Sequence, residues 1–177
     1  MLTDEQLMLD FQRGSKEAFT ELFARYREPI YGYFRRRLAD AARAEELAQE
    51  TFLAVLRAVT RYEPRALFRT YLYGIALLQL AAERRRSAHR EASLEPTTAD
   101  PPAAGNTEEE VAIRQALERL APDEREVLML REYEQLSYAE IAALQRVPIN
   151  TVRSRLFRAR LALKELLVSP RAARRAV

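Results

Sequence analysis

Between Ser87 and about Glu108 the chain reads SAHREASLEPTTADPPAAGNTE, with Pro96, Pro101, Pro102 and Gly105 and no apolar period. Proline fixes φ and removes a backbone donor, so this composition marks a linker. Apolar residues recur at helical spacing on both sides of it. The chain is therefore predicted to be all-α, with two helical domains: residues 1–86, a linker at 87–107, a second domain at 108–168 and a basic tail at 169–177. A length of 177 residues with 48% apolar side chains and only four glycines suits such small helical cores. Fully extended, a linker of about twenty residues reaches roughly 70 Å, so two domains could hold two sites that far apart.

The same composition removes most catalytic chemistry. There is no cysteine, hence no disulfide, thiolate metal site or cysteine nucleophile, and His89 is the only histidine. His89 stands in the polar run SAHREAS without a carboxylate or serine arrangement around it. The glycines are scattered and form no phosphate-binding loop. No catalytic site, metal site or cofactor is expected. No apolar run approaches a membrane span or a signal-peptide core, which leads to the expectation of a cytoplasmic protein.

The first domain reads as four helices: MLDFQR behind a capping box of Thr3 with Gln6, EAFTELFARYREPIYGYFRRRL after a Gly14-Ser15 break, AEELAQETFLAVLRAV, and LFRTYLYGIALLQLAAERRR. In the third, Leu47, Thr51, Phe52, Val55, Leu56 and Val59 share one face. Glu46, Gln49, Glu50, Leu53 and Arg57 lie opposite, a largely acidic and partly apolar surface that suits either a protein partner or solvent. The loop TRYEPRA follows. There Tyr62 could stack on an unpaired base, beside Arg65, or pack into the core.

In the second domain Thr107 with Glu110 forms a capping box for VAIRQALERL, and Pro122 opens EREVLMLREYEQ. Ser137 with Glu140 caps a short helix carrying Ile141, Ala142 and Leu144. Pro148 then restarts the chain into TVRSRLFRAR. Val152, Leu156, Ala159 and Leu163 form the buried stripe of that last helix. The result is a helix-turn-helix whose second helix would enter a major groove by its N-terminal end. Asn150, Thr151, Arg153, Ser154, Phe157 and Arg158 would face base edges and nearby phosphates, since arginine reads guanine bidentately and Phe meets a thymine methyl. Arg155 and Arg160, on the flanks, suit phosphate contacts or salt bridges within the domain. From Ile149 onward eight Lys or Arg residues oppose the single acid Glu165, whereas the whole chain carries only +3. Such concentration points to a polyanion. The tail SPRAARRAV is expected to be disordered, with weak attraction to phosphate.

Both blocks in order, from about Leu7 to Leu167, resemble the small extracytoplasmic-function (ECF) sigma factors of bacteria, group 4 of the sigma-70 family. The resemblance rests on AEELAQETFLAVLRA and FRTYLYGIA in region 2, and on LAPDEREVLMLREYEQLSYAEIA with VPINTVRSRLFRAR in region 4. It implies a promoter-specificity subunit that binds core RNA polymerase, recognises −35 and −10 elements and assists promoter melting. Glu46, Gln49, Glu50, Leu53 and Arg57 would dock on the β′ clamp coiled coil. Tyr62, Glu63, Pro64, Arg65 and Ala66 would form the loop that captures a flipped −10 base. Arg69, Tyr73, Arg84 and Arg85 correspond in position to residues approaching −10 DNA. The last helix, with Arg155 and Arg160 on its flanks, would read the −35 duplex, and the linker would thread towards the RNA exit path along the β subunit. An anti-sigma protein covering exposed Leu53 and Phe157 is a further expected partner.

The chain departs from the family pattern at Tyr71, Gly74, Leu78 and Ala82, where tryptophan, arginine, asparagine and aspartate are common. Leu77 and Leu78 are therefore expected to pack against another part of the protein. Arg146 stands where the turn often has glycine, and Gln145 replaces an apolar residue. A dimeric helix-turn-helix repressor would explain only the second domain. An adaptor that binds polymerase without promoter selectivity would explain only the first.

Overall fold

Residues 2–91 and 107–174 are described by a computed structural model of the chain, and they fall into two separate helical units. The first contains α1 (Asp4–Gln12), α2 (Lys16–Arg35), α3 (Ala41–Ala58), a single 3-10 turn (Val59–Arg61) and α4 (Phe68–Glu91). Each of the first three helices begins on a side-chain cap. Thr3 and Gln6 form a reciprocal capping box, Ser15 accepts the N–H of Ala18, and Asp40 accepts those of Ala42 and Arg43. Gly14 joins α1 to α2 at φ 109°, a conformation that side chains with a Cβ avoid. Met8, Leu22, Ile30, Tyr33, Phe34, Leu47, Val55, Phe68 and Leu72 make the core. Thr51, fully buried on the inner face of α3, has its hydroxyl 2.8 Å from the Leu47 carbonyl and 2.8 Å from Gln79 Oε1 of α4.

The second unit contains α5 (Glu108–Glu118), α6 (Pro122–Glu132), α7 (Tyr138–Gln145) and α8 (Ile149–Arg174). The predicted capping boxes at Thr107/Glu110 and Ser137/Glu140 are both present, and Pro122 sits in the first turn of α6. Val127, Leu130, Leu136, Ile141, Val152, Leu156 and Ala159 form its core. All described elements are helical, as expected for an all-α chain.

Two boundaries differ from the sequence reading. Ser87–Glu91, assigned to the linker, completes the last turns of α4. No helix breaker occurs before Pro96, and Arg90 is tied to Glu83 at 3.2 Å and to Ser87 at 3.2 Å. The rest of the linker, residues 92–106, lies outside the described residues. The tail expected to be disordered is helical as far as Arg174, with Pro170 inside α8. The residues after that proline, Arg171, Ala172, Ala173 and Arg174, are strong helix formers. Residues 175–177 lie outside the described residues.

Candidate nucleic-acid interface

The turn between α7 and α8 sets the direction of α8. Arg146 ends α7 in the left-handed region (φ 54°, ψ 44°), and the Val147 N–H returns to the Ala142 carbonyl at 3.1 Å. This is how a helix closes its last carbonyls, and it confirms that a position often given to glycine requires positive φ. The Pro148 carbonyl then accepts the N–H of Thr151 at 2.9 Å, starting α8. Burial of Val152, Leu156 and Ala159 fixes the helix phase. As a result Asn150, Arg153, Ser154, Phe157, Arg158 and Arg160 are exposed, while Thr151 and Arg155 are half-buried. Phe157 is 70% exposed, which no core role explains. Arg153 Nη1 donates to Asn150 Oδ1 at 3.1 Å, pre-setting two side chains of the outer face.

Both flank arginines make salt bridges within the unit. Arg155 donates to Asp123 at 2.6 Å and to Gln145 at 3.1 Å, and Arg160 donates to Glu132 at 2.8 Å. The bond to Glu132 holds the Arg160 guanidinium above its already high ordinary pKa. Arg158 is also paired, its Nε 2.6 Å from Glu124 Oε1.

In the first unit the outer face of α3 carries Glu46, Gln49, Leu53 and Arg57 exposed and Glu50 half-buried. Leu53 is 45% exposed. Gln49 lies on the rim of a cleft of about 380 Å³ between α2 and α3, lined also by Phe23, Tyr31 and Phe52. Arg43 orders the acids beside it, donating to Glu46 at 2.7 Å, to Glu50 at 3.3 Å and, through Nε and Nη2, to Glu83 of α4 at 3.0 and 2.9 Å. Burial alone would push the Glu83 carboxyl up. The hydrogen bond and charge of Arg43, with Arg86 and Arg90, outweigh it and hold Glu83 below the usual glutamate value.

The loop between the 3-10 turn and α4 is pinned at both ends to α1. Gln12 Nε2 donates to the Val59 and Tyr62 carbonyls at 2.8 and 3.2 Å, and Glu5 Oε1 accepts the Phe68 N–H at 2.7 Å. Glu63, Pro64, Arg65, Ala66 and Leu67 are held exposed between these anchors, with Arg65 paired to Glu63 at 2.5 Å. Arg69 is half-buried at the start of α4, and Arg84 and Arg85 are exposed near its end.

Two residues expected at −10 contacts are buried in this unit. Tyr62 is 5% exposed, edge-on to Tyr71 at 5.3 Å and to Phe68 at 6.3 Å, and burial pushes its hydroxyl up to about 12. The hydrogen bond to its carbonyl and the aromatic cluster anchor it. Burial likewise raises Tyr71. Tyr73 is 3% exposed against Tyr33, because it falls on the inner face of α4 beside Leu72 and Ala76. Leu78 departs from expectation in the opposite sense. It is 68% exposed, while Leu77 is half-buried.

Sequence reasoning missed the positioning side chains. Glu5, Gln12, Arg43 and Glu83 hold the first unit's surfaces, and Asp123, Glu124 and Glu132 hold the arginines of α8. Each pairs with a residue distant in sequence, so no local spacing announces it; Leu67, on the exposed loop, is a fifth loop residue beside the four already named. Among the described residues there is no group of three or more His, Asp or Glu that could hold a metal ion, and no helix is long and apolar enough to cross a membrane.

Comparison with known proteins covers both units. The chain matches the family Sigma-70 region 2 over residues 22–91 and the family Sigma-70, region 4 over residues 110–163. It is 36% identical to RNA polymerase sigma-H factor of Pseudomonas aeruginosa, over 93% of each chain. It is 35% identical to RNA polymerase sigma factor CarQ of Myxococcus xanthus, over 89% of this chain and 93% of the other. It is 32% identical to the ECF RNA polymerase sigma-E factor of Escherichia coli, over 92% and 93%. Among solved structures, that of CnrH in complex with the cytosolic domain of CnrY is similar with a TM-score of 0.73 at 25% identity, covering 94% of this chain and 97% of that one. With both regions present in order, and with relatives matched along nearly their whole length, this chain belongs to the sigma-70 family of RNA polymerase sigma factors, in its small ECF-type branch.

Proposed function

We propose that this sigma factor confers promoter selectivity on RNA polymerase by dividing the work between its two units. The second unit reads the −35 duplex with the outer face of α8: Asn150, Thr151, Arg153, Ser154, Phe157 and Arg158. Arg155 and Arg160 brace that face from its flanks. The exposure of Phe157 between Arg153 and Arg158 carries this reading. An aromatic held in solvent among cations suits a groove that offers both thymine methyls and phosphates.

The first unit docks on core polymerase through Glu46, Gln49, Glu50, Leu53 and Arg57, against the β′ clamp coiled coil. Its pinned loop, Glu63 to Leu67, receives a −10 base, with Arg69, Arg84 and Arg85 along the strand. Tyr62 and Tyr73 serve this site as the packed base of the loop and helix. The protein acts in the cytoplasm, without catalysis or a cofactor of its own. The exposed apolar side chains Leu53 and Phe157 also suit capture by an anti-sigma protein.

The test is reconstituted transcription with core bacterial RNA polymerase on a genomic promoter library, with and without the full chain. Transcripts that require the protein, share paired upstream elements and disappear with Arg153→Ala or Phe157→Ala are expected. Tight polymerase binding without new transcripts would instead favour an adaptor.

A further inference from the structure

The positive charge concentrated in the last helix does not survive folding as a free field. Between residues 107 and 168, ten Lys or Arg residues meet eleven acids. Three of those acids are aimed at the reading helix. Arg155 lies 2.6 Å from Asp123, Arg158 2.6 Å from Glu124 and Arg160 2.8 Å from Glu132, all three carboxylates coming from α6. The Glu124 side chain is only 18% exposed, so it is seated beneath Arg158 and is not a passing surface contact.

We propose that Glu124, with Asp123 and Glu132, is a specificity-determining counter-ion set that competes with DNA phosphate for the arginines of α8; this rests on α8 being the reading helix. On a random duplex the exchange brings an arginine mainly phosphate oxygens for a carboxylate it already holds, because no guanine is set in register with it. A matched site also offers Arg158 a base edge for a bidentate pair, and the exchange there becomes favourable, with Arg155 and Arg160 following to the flanking phosphates. Each pair keeps at least one partner half exposed or more, and ion pairs open to solvent on one side are individually weak, so they are exchanged readily at the right site. Their net effect is to subtract phosphate attraction, which carries no sequence information, while leaving base reading in place. The acids are thus positioning residues: they act on DNA through the arginines they hold.

The experiment uses the full chain without polymerase and a short random-sequence duplex, with affinity followed across salt concentration. Glu124→Gln should tighten binding by roughly tenfold at about 0.1 M salt and steepen the slope of log K against log salt by about 0.9, the signature of one more neutralised phosphate. Arg158→Ala on the Glu124→Gln background should cancel both changes. Asp123→Asn with Glu132→Gln alters only well-exposed acids, leaves packing untouched, and should move both readouts the same way through Arg155 and Arg160. Glu118→Gln on α5 carries the same charge change and should leave them near wild type. With core polymerase, Glu124→Gln should raise the share of transcripts starting outside matched promoters.

Equal gains from Glu118→Gln would reduce the effect to net charge and overturn the proposal. So would acid variants that bind random duplex like the wild type; if Arg158→Ala then still abolishes promoter-dependent transcription, the reading helix stands and only the counter-ion role falls. If Arg158→Ala leaves transcription intact, the assignment of Arg158 to the reading face fails and the counter-ion role of Glu124 fails with it.

Discussion

Arg43 of α3 reaches across to the buried carboxylate of Glu83 on α4 with two guanidinium nitrogens, at 3.0 and 2.9 Å, while its third nitrogen holds Glu46. One side chain thereby ties the proposed polymerase surface to the helix proposed to follow −10 DNA. Glu83→Gln keeps the shape and removes the charge, leaving Arg43 with Glu46 and Glu50. A loss of about 1–3 kcal/mol is expected in urea unfolding of the full chain. A change below about 0.5 kcal/mol would show that the network adds nothing to stability.

The same pair sets a pH dependence. Glu83 is held below the usual glutamate value. Its contribution is therefore complete above the unfolded-state pKa of about 4.3 and is lost as pH falls through the lower folded-state value. Thermal melts between about pH 5 and pH 2 should show the wild type losing stability more steeply than Glu83→Gln. Parallel curves would rule out Glu83 as a source of the acid sensitivity.

Tyr62 tests how the loop is packed. Its hydroxyl is buried without a hydrogen-bond partner among the described residues. Tyr62→Phe should therefore leave stability unchanged or raise it by up to about 1 kcal/mol, with transcription intact. Tyr62→Ala should cost about 3–5 kcal/mol by opening a cavity under the loop. Loss of transcription in a fully stable Tyr62→Phe protein would return the hydroxyl to the DNA site.

Arg146 sits at φ 54° with an exposed side chain. Arg146→Gly should raise the stability of the helix-turn-helix by roughly 1 kcal/mol, whereas Arg146→Ala, which keeps the Cβ, should not. Calorimetry of the two variants side by side decides it. An equal response in both would remove backbone strain as the cause.

Leu53 is exposed on the outer face of α3 and contributes little to the core. Leu53→Ser should leave unfolding within about 0.5 kcal/mol of wild type. Capture of core polymerase should weaken by roughly tenfold, about 1.4 kcal/mol. Undiminished capture would move the docking surface elsewhere.

Much of this architecture could be read from residue order, because its signals are local. The capping boxes at Thr3, Thr107 and Ser137, the proline at the start of α6 and the buried stripe of α8 each depend on neighbours within one or two turns. The strained turn at Arg146 was legible through the family pattern. What escaped was non-local or cumulative. Tyr73 is an amphipathic residue whose burial depends on Tyr33 arriving beside it, whereas core packing of Tyr62 was one of the two alternatives its loop offered. The extension of α4 to Glu91 was hidden by a polar composition that resembles a linker but contains no breaker. The pairing of α8 with α6 joins residues 28 to 34 positions apart, beyond any periodic pattern.

The uninterrupted course of α4 from Phe68 to Glu91 makes it a ruler with a fixed phase. Arg69 and Arg84 are separated along it by about 22 Å, at 1.5 Å per residue. Adding or deleting one residue between them would rotate everything beyond by about 100°. Glu83 would swing away from Arg43; a deletion would bring Arg84 into its place, and an insertion Ala82. Insertions and deletions accumulated by related genes are therefore expected to spare this interval, and a frame-preserving indel scan of the gene should find its least tolerant window there.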